Sequence, residues 1–187
     1  RNLSWSADEV DLQPRPANFA DANQHLTSMQ ADVVLAAFGY NESFAGKEGL
    51  TAFRERLTKY LEDIKAKAYN GKTAARVVLV SPVANENVEG VAAADRNNGN
   101  IRVYLQVMKE VATKQKVGFV DAYTATEKSM ASPGNDLTMN GCHLNEKGYQ
   151  LFASTVFKQL FGKDAPKLDE KVRAAVIEKN KQHFFRY

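Results

Sequence analysis

The chain has 187 residues, of which 44% are hydrophobic and 25% are charged, as is ordinary for one globular domain with a sizeable core. A net charge of +3 is too small to indicate a nucleic-acid-binding protein, and no apolar run is long enough to span a membrane. The single cysteine excludes an intramolecular disulfide framework and a cysteine-rich metal site, and it leaves the cellular compartment open.

Three short apolar runs predict the strands of a parallel sheet, at residues 32–38, 76–81 and 117–121, the third being the weakest. Continuous apolar runs are typical of strands buried on both faces of such a sheet. A short helix is predicted over residues 17–29. It follows residues 14–16, Pro-Arg-Pro, which interrupt regular secondary structure.

Apolar residues at helical spacing predict helices between and after these strands. Two sets precede the second and third strands: Leu50, Phe53, Leu57, Leu61 and Ile64, then Ile101, Tyr104, Leu105, Met108 and Val111. A later helix begins at Glu146, with Asn145 as its N-cap. Its residues expected to face inward are Leu151, Phe152, Val156 and Leu160. This alternation predicts an α/β fold with right-handed crossovers.

The chain divides into an α/β domain at residues 1–162 and a C-terminal helical extension at residues 163–187. In the extension, one helix face carries Leu168, Val172, Ala175 and Val176. The chain starts without methionine and ends on an aromatic segment. We interpret it as an internal piece of a longer protein.

Polar clusters follow each predicted strand, at residues 39–42, 81–87 and 121–140, and the last cluster leads to His143. In open α/β sheets, ligands bind beyond the carboxyl ends of the strands. Histidine can take up and release protons near neutral pH. The sequence therefore predicts a functional site at this edge of the sheet.

Three blocks, at residues 2–8, 39–42 and 140–149, resemble in their order the SGNH (GDSL-type) hydrolase family, which includes esterases and lipases. The resemblance covers about residues 1–161 and extends to GDSL-type domains inside long planctomycete-type proteins. It implies a three-layer, flavodoxin-like sandwich with a central parallel sheet. The first strand of that fold and the nucleophilic serine would lie before Arg1, so the chain would lack both.

The resemblance also implies roles for individual residues. His143 would be the general base, and Asn140, which stands where the family has aspartate, would orient its imidazole. The oxyanion donors would be the Asn41 amide and the Ser4 backbone N–H, with Gly39 in the same block as Asn41.

Departures from the family pattern put parts of this site in question. Glu42 replaces an aspartate, while Ser4 and Ala7 replace glycines. The Cβ of Ser4 is expected to restrict its backbone angles. Asn140 cannot stabilise an imidazolium as a carboxylate does. An amide can also favour the wrong tautomer of the histidine ring.

Other nucleophiles and histidines are weaker candidates. Ser4, Ser6, Ser43 and Ser81 lie near strand ends, but none sits in a Gly-x-Ser-x-Gly turn. Cys142 is interpreted as a small packing residue. His25 and His183 are interpreted as incidental, and no spacing indicates a metal site.

The resemblance implies hydrolysis of esters, such as acetyl-carbohydrate or acyl substrates, without a metal or organic cofactor. Expected partners are that substrate and the rest of a parent chain, with no nucleic acid and no membrane span, and the family suggests an extracytoplasmic location. Without the upstream serine, the 187 residues alone are expected to be inactive. The alternative is a catalytically decayed module that binds carbohydrate or protein. A flavodoxin-like response or nucleotide module is less favoured, because it predicts acidic or glycine-rich loops that residues 39–42 do not provide.

Overall fold

The structure, a computed structural model, describes residues 2–5 and 7–184, with side chains as far as Gln182. Its centre is a parallel sheet in the order β1 (Val33–Ala37), β2 (Arg76–Val80) and β3 (Gly118–Val120). The three predicted strands are confirmed, and so is the α/β fold class.

Helices connect and follow the strands. They are α1 (Ala22–Ser28), a 3₁₀ segment (Glu42–Gly49), α2 (Leu50–Lys65), α3 (Ala94–Gln115), α4 (Ala122–Met130), α5 (Glu146–Phe161) and α6 (Glu170–Phe184). The helix predicted over residues 17–29 is shorter, because a capping box between Asp21 and Gln24 sets its start. The helix α4 was not predicted.

One face of the sheet is sealed by α2 and α3. Val34 and Ala36 of β1 and Val77 and Leu79 of β2 point into this layer, and all four are buried. The helices supply Phe53, Leu57, Leu61, Tyr104 and Met108, all at most 2% exposed. Among the apolar positions predicted for these two helices, only Leu50 is partly rather than fully buried.

The opposite face is only partly covered. Phe152 and Val156 of α5 pack on Val80 and Val120, so this helix covers β2 and β3. A helix about 10 Å wide spans roughly two strands that lie about 4.8 Å apart, which leaves β1 uncovered. The expectation that β1 is buried on both faces is therefore wrong, since Leu35 is 54% exposed.

The inward orientation expected for Leu160 is also wrong, because this side chain is 36% exposed near the end of α5. Beyond Gly162, α6 contacts α5 through an ion pair between Arg173 and Glu146 at 3.2 Å. Its apolar residues Val172, Val176 and Ile177 are largely exposed, and so is Leu168, which precedes the helix. Across the described ranges, none of the helices is both long and apolar enough to cross a membrane.

Candidate functional site

The polar loops after the strands meet at the carboxyl edge of the sheet. Tyr40 follows β1, Asn85 follows β2, and Gly141 lies in the loop before α5. The Asn85 amide donates to the Tyr40 hydroxyl at 3.1 Å and to the Gly141 carbonyl at 2.9 Å. One buried side chain therefore joins all three loops, as expected from the carboxyl ends of parallel strands.

Asn85 is itself held against α3. Its backbone N–H donates to Asn98 Oδ1 at 2.8 Å, and the Asn98 amide donates back to the Asn85 carbonyl at 2.9 Å. This reciprocal pair fixes the loop after β2 on a helix whose apolar face is part of the core. The site edge is thus tied to the rigid part of the fold.

The carboxylate of Glu86 fixes the loop that carries His143. It accepts the backbone N–H of Leu137 at 2.7 Å and that of Thr138 at 2.8 Å, and also the Thr138 hydroxyl. The Glu86 N–H donates to the Gly141 carbonyl at 2.8 Å. The sequence placed Glu86 in a strand-end cluster but gave it no role.

A close contact sets α5 beneath the same loop. The Asn145 side chain accepts the N–H of Gly148 at 2.9 Å, which confirms the predicted N-cap. A Cβ at position 148 would clash with the Leu137 carbonyl, so the helix approaches the loop this closely only with glycine there.

A second carboxylate, Glu42, fixes the loop after β1. It is only 7% exposed, and it accepts the N–H of Gly39 at 2.8 Å and that of Val10 at 3.0 Å. Burial raises the pKa of Glu42, and the N–H donors offset part of that effect. The N–H of Gly39, at φ 100°, is therefore engaged in anchoring the turn.

His143 and Asn140 form an exposed pair. Asn140 Oδ1 accepts the N–H of His143 at 3.0 Å and lies 3.1 Å from its ring Nδ1. It also accepts the N–H of Cys142 at 3.4 Å. Because a backbone N–H can only donate, these contacts identify the amide atom facing the ring as oxygen. The neutral ring can hydrogen-bond this oxygen only with its proton on Nδ1, and that tautomer leaves the Nε2 lone pair open.

Cys142 lies on the Nδ1 side of the ring. Its Sγ is 3.3 Å from His143 Nδ1 and 3.5 Å from Asn140 Oδ1. Tyr40 is a further neighbour of Cys142. Burial raises the pKa of Tyr40, the hydrogen bond with Asn85 opposes this shift, and Cys142 adds to it. The thiol therefore lies beside Nδ1 and Asn140.

Asp8, at the end of the first block, lies against the loop after β1. The Asn41 amide donates to the Asp8 carbonyl at 3.2 Å, and its second N–H has no acceptor within residues 2–5 and 7–184. The N–H of Ser4 donates to Asn2 Oδ1 at 2.9 Å. Ala7 adopts a left-handed φ of 65°, whereas the sequence analysis expected the restricted backbone angles at Ser4.

Two of the serines near strand ends are buried and engaged. The Ser43 hydroxyl donates to the Tyr40 carbonyl at 2.6 Å. The Ser81 hydroxyl donates to the Pro82 carbonyl and accepts the backbone N–H groups at the start of α4. Ser6 and the side chain of His183 lie outside the described residues. In the part of the chain that the structure describes, no cluster of three His, Cys, Asp or Glu residues could hold a metal ion.

Solved structures of hydrolases share this fold. An acetylxylan esterase from Geobacillus stearothermophilus matches with a TM-score of 0.56 and 16% identity, over 76% of this chain and 65% of that chain. A lipase/acylhydrolase from Enterococcus faecalis matches with a TM-score of 0.53 and 21% identity, over 79% of this chain and 70% of that chain. The match thus spans slightly less than two thirds of the length of the acetylxylan esterase.

Variants of the same esterase in which a serine, an aspartate or a histidine is replaced by alanine are described as catalytic mutants. Its aspartate precedes its histidine by three residues. A search of curated proteins finds no match to the chain.

A family model for GDSL-like lipases and acylhydrolases matches residues 1–151. This range contains the three sequence blocks, the sheet and the loops that meet at its carboxyl edge. The chain therefore belongs to the GDSL-like lipase/acylhydrolase family.

Proposed function

We propose that the protein is a serine-type ester hydrolase in which Nε2 of His143 is the general base. The observation that carries this proposal is the fixed orientation of the Asn140 amide, whose oxygen faces Nδ1. A base at Nε2 requires this tautomer, because the same nitrogen cannot hold a proton and accept one.

The comparisons support the pairing of these two residues. Asn140 precedes His143 by three residues, the spacing that separates the aspartate and the histidine of the acetylxylan esterase. We therefore assign Asn140 as the positioning residue. Without a negative charge it orients the ring but stabilises the imidazolium less than a carboxylate would.

The nucleophile in this proposal is a serine from outside residues 1–187. His143 Nε2 takes the hydroxyl proton as the serine oxygen attacks the ester carbonyl, and it later gives that proton to the leaving alcohol. The serine is thereby acylated, and water then releases the acid by the same base catalysis. Without that serine, the 187 residues alone are expected to show no serine-hydrolase activity.

The oxyanion of the tetrahedral intermediate would be held by neutral donors. The second N–H of the Asn41 amide is available, and the N–H of Ser4 becomes available if the exposed Asn2 side chain turns away. Such donors typically contribute about 10²-fold or more to the rate. Gly39 serves this site by shaping the turn, because its own N–H binds Glu42.

The test is hydrolysis of p-nitrophenyl acetate by the full-length protein that contains this chain, beside its His143→Ala variant. Turnover that disappears in the variant supports the proposal. Turnover that survives the substitution unchanged contradicts it.

A second candidate is a module that keeps the fold and binds carbohydrate or protein. It is favoured by the uncharged Asn140 and by the engagement of the Ser4 N–H with Asn2. An Asn140→Asp variant that gains strong activity from an inactive parent would support this candidate. Robust turnover by the unmodified full-length protein would exclude it.

A further inference from the structure

A shallow, solvent-open cleft of about 420 Å³ lies beside the candidate site, between the 3₁₀ segment and the start of α3. Its lining residues are Phe44, Ala92, Ala93, Arg96, Asn97 and Asn100. The Phe44 ring packs edge-on against Tyr40, with 5.4 Å between ring centroids. Tyr40 also shares hydrogen bonds with Asn85. Tyr40 therefore connects the cleft, through Phe44, with the loop that carries His143, through Asn85.

Several side chains of this cleft have no evident structural role. Phe44 is 54% exposed, although its ring is large and apolar. Within the described residues, Arg96 forms no ion pair, and the side chains of Asn97 and Asn100 form no hydrogen bond. Asn98, between those two amides, is by contrast fully engaged with Asn85.

The chemistry of the lining favours a ligand rich in hydroxyl groups. A guanidinium offers donors in a planar fork, and each carboxamide offers both donors and an acceptor. The exposed aromatic face of Phe44 carries partial negative charge and attracts the C–H bonds of a sugar ring. Two small residues, Ala92 and Ala93, leave room for such a ring. A long acyl chain would instead desolvate the polar groups without pairing them.

We propose that this cleft binds a neutral carbohydrate, which forms the alcohol part of the ester whose acyl group is presented to His143. This assignment deepens the proposed function and rests on it. Phe44 would stack on one sugar ring while Arg96, Asn97 and Asn100 hydrogen-bond its hydroxyls.

Binding can be measured apart from catalysis, by NMR titration of the chain with cellotetraose, mannotetraose and xylotetraose, and with decanoate as an apolar probe. We expect at least one tetrasaccharide to shift the amide signals of residues 44 and 92–100. Loss of one aromatic contact in Phe44→Ala should weaken that binding about fivefold. Arg96→Gln should weaken it as well.

Phe161→Ala is the matched control, because Phe161 is 62% exposed at the end of α5 and does not line the cleft. Its affinity for the tetrasaccharide should equal that of the unmodified chain. The proposal would be overturned if decanoate but no saccharide bound in the cleft, or if no saccharide bound at all. It would also be overturned if Phe161→Ala weakened saccharide binding as much as Phe44→Ala.

The second measurement compares substrates in the full-length protein. Phe44→Ala should raise KM for an acetylated tetrasaccharide about fivefold, whereas the control Phe161→Ala should leave that KM and the turnover of p-nitrophenyl acetate unchanged. Saccharide binding without any ester turnover would retain the cleft as a carbohydrate site and reject the hydrolase function. Turnover of p-nitrophenyl acetate without saccharide binding would retain the hydrolase and reject the carbohydrate site.

Discussion

Two pairs of side chains at the carboxyl edge of the sheet differ in the hydrogen bonds that they make. The carboxylate of Glu42 accepts the backbone N–H of distant Val10 as well as that of nearby Gly39, and the carboxylate of Glu86 accepts those of residues 137 and 138, more than 50 residues away. Among the described residues, the side chains of Asn140 and His143 bond only with their immediate neighbours, and both are exposed. The first pair joins loops across the chain, whereas the second pair shapes a single turn.

This difference separates stability from chemistry. Removing a charged acceptor from buried donors leaves those donors unpaired, which costs about 1–3 kcal/mol. Removing an exposed side chain typically changes the free energy of unfolding by no more than about 0.5 kcal/mol. The anchoring pair should therefore determine stability, and the exposed pair should determine activity.

The largest effect is expected for His143→Ala in the full-length protein. Loss of the general base should reduce kcat/KM for p-nitrophenyl acetate by about 10³-fold, because proton transfer by a positioned base contributes about 10²–10⁴. The thermal unfolding midpoint should stay unchanged, since the ring is exposed. His25→Ala is the control and should keep full activity; a similar loss in both variants would contradict the assignment.

The next effect is expected for Glu86→Gln. One of the two carboxylate oxygens becomes an amide nitrogen, which cannot accept the N–H of Leu137 or Thr138. We expect a loss of about 2 kcal/mol in the free energy of unfolding, measured by urea titration of the chain. Glu89→Gln, at an exposed position of the same loop, should change stability by less than about 0.5 kcal/mol. Equal stability of the two variants would show that Glu86 does not anchor the loop.

The apolar spacing in the sequence was sufficient to place the strands, the α2–α3 core and the edge where the loops meet. Periodicity reports which residues share a face, and burial of these faces is the dominant stabilising term. It missed α4 because only three of its nine residues are buried, Ala122, Tyr123 and Thr126, so its apolar stripe is weak.

The remaining features depend on contacts between distant residues. The exposure of Leu35 follows from how far α5 reaches across the sheet, which no local pattern encodes. The anchoring role of Glu86 depends on a loop some 51 residues away. The orientation of the Asn140 amide follows from two backbone N–H groups, so the sequence could name the residue but not its tautomeric consequence.

A smaller effect is expected for Asn140→Asp. A carboxylate 3.1 Å from the ring would stabilise the imidazolium of the transition state by about 1.3 kcal/mol in a solvent-exposed setting. This corresponds to about a tenfold rise in kcat of the full-length protein. Asn140→Ala removes the oxygen that selects the tautomer and should lower kcat instead. A kcat that is the same in all three proteins would separate Asn140 from the chemistry.

The smallest expected effect is the pH dependence of the free energy of unfolding that is due to Glu42, the other anchoring carboxylate. Because burial raises the pKa of Glu42, the folded chain holds this proton more tightly than the unfolded chain, whose ordinary value is 4.5. The stabilisation is full below pH 4.5 and is lost as pH rises through the folded-state pKa. Relative to Glu42→Gln, the unmodified chain should therefore lose stability as pH rises from 4.5 through the folded-state pKa of Glu42.

Urea midpoints measured across this range check the sign, with Glu48→Gln, a substitution of an exposed glutamate in the same segment, as the control. A trend in the opposite direction would mean that the N–H donors of Gly39 and Val10 outweigh burial. Glu42 would then stabilise the loop after β1 mainly as a charged acceptor, as proposed for Glu86, and the two anchors would respond alike to acid.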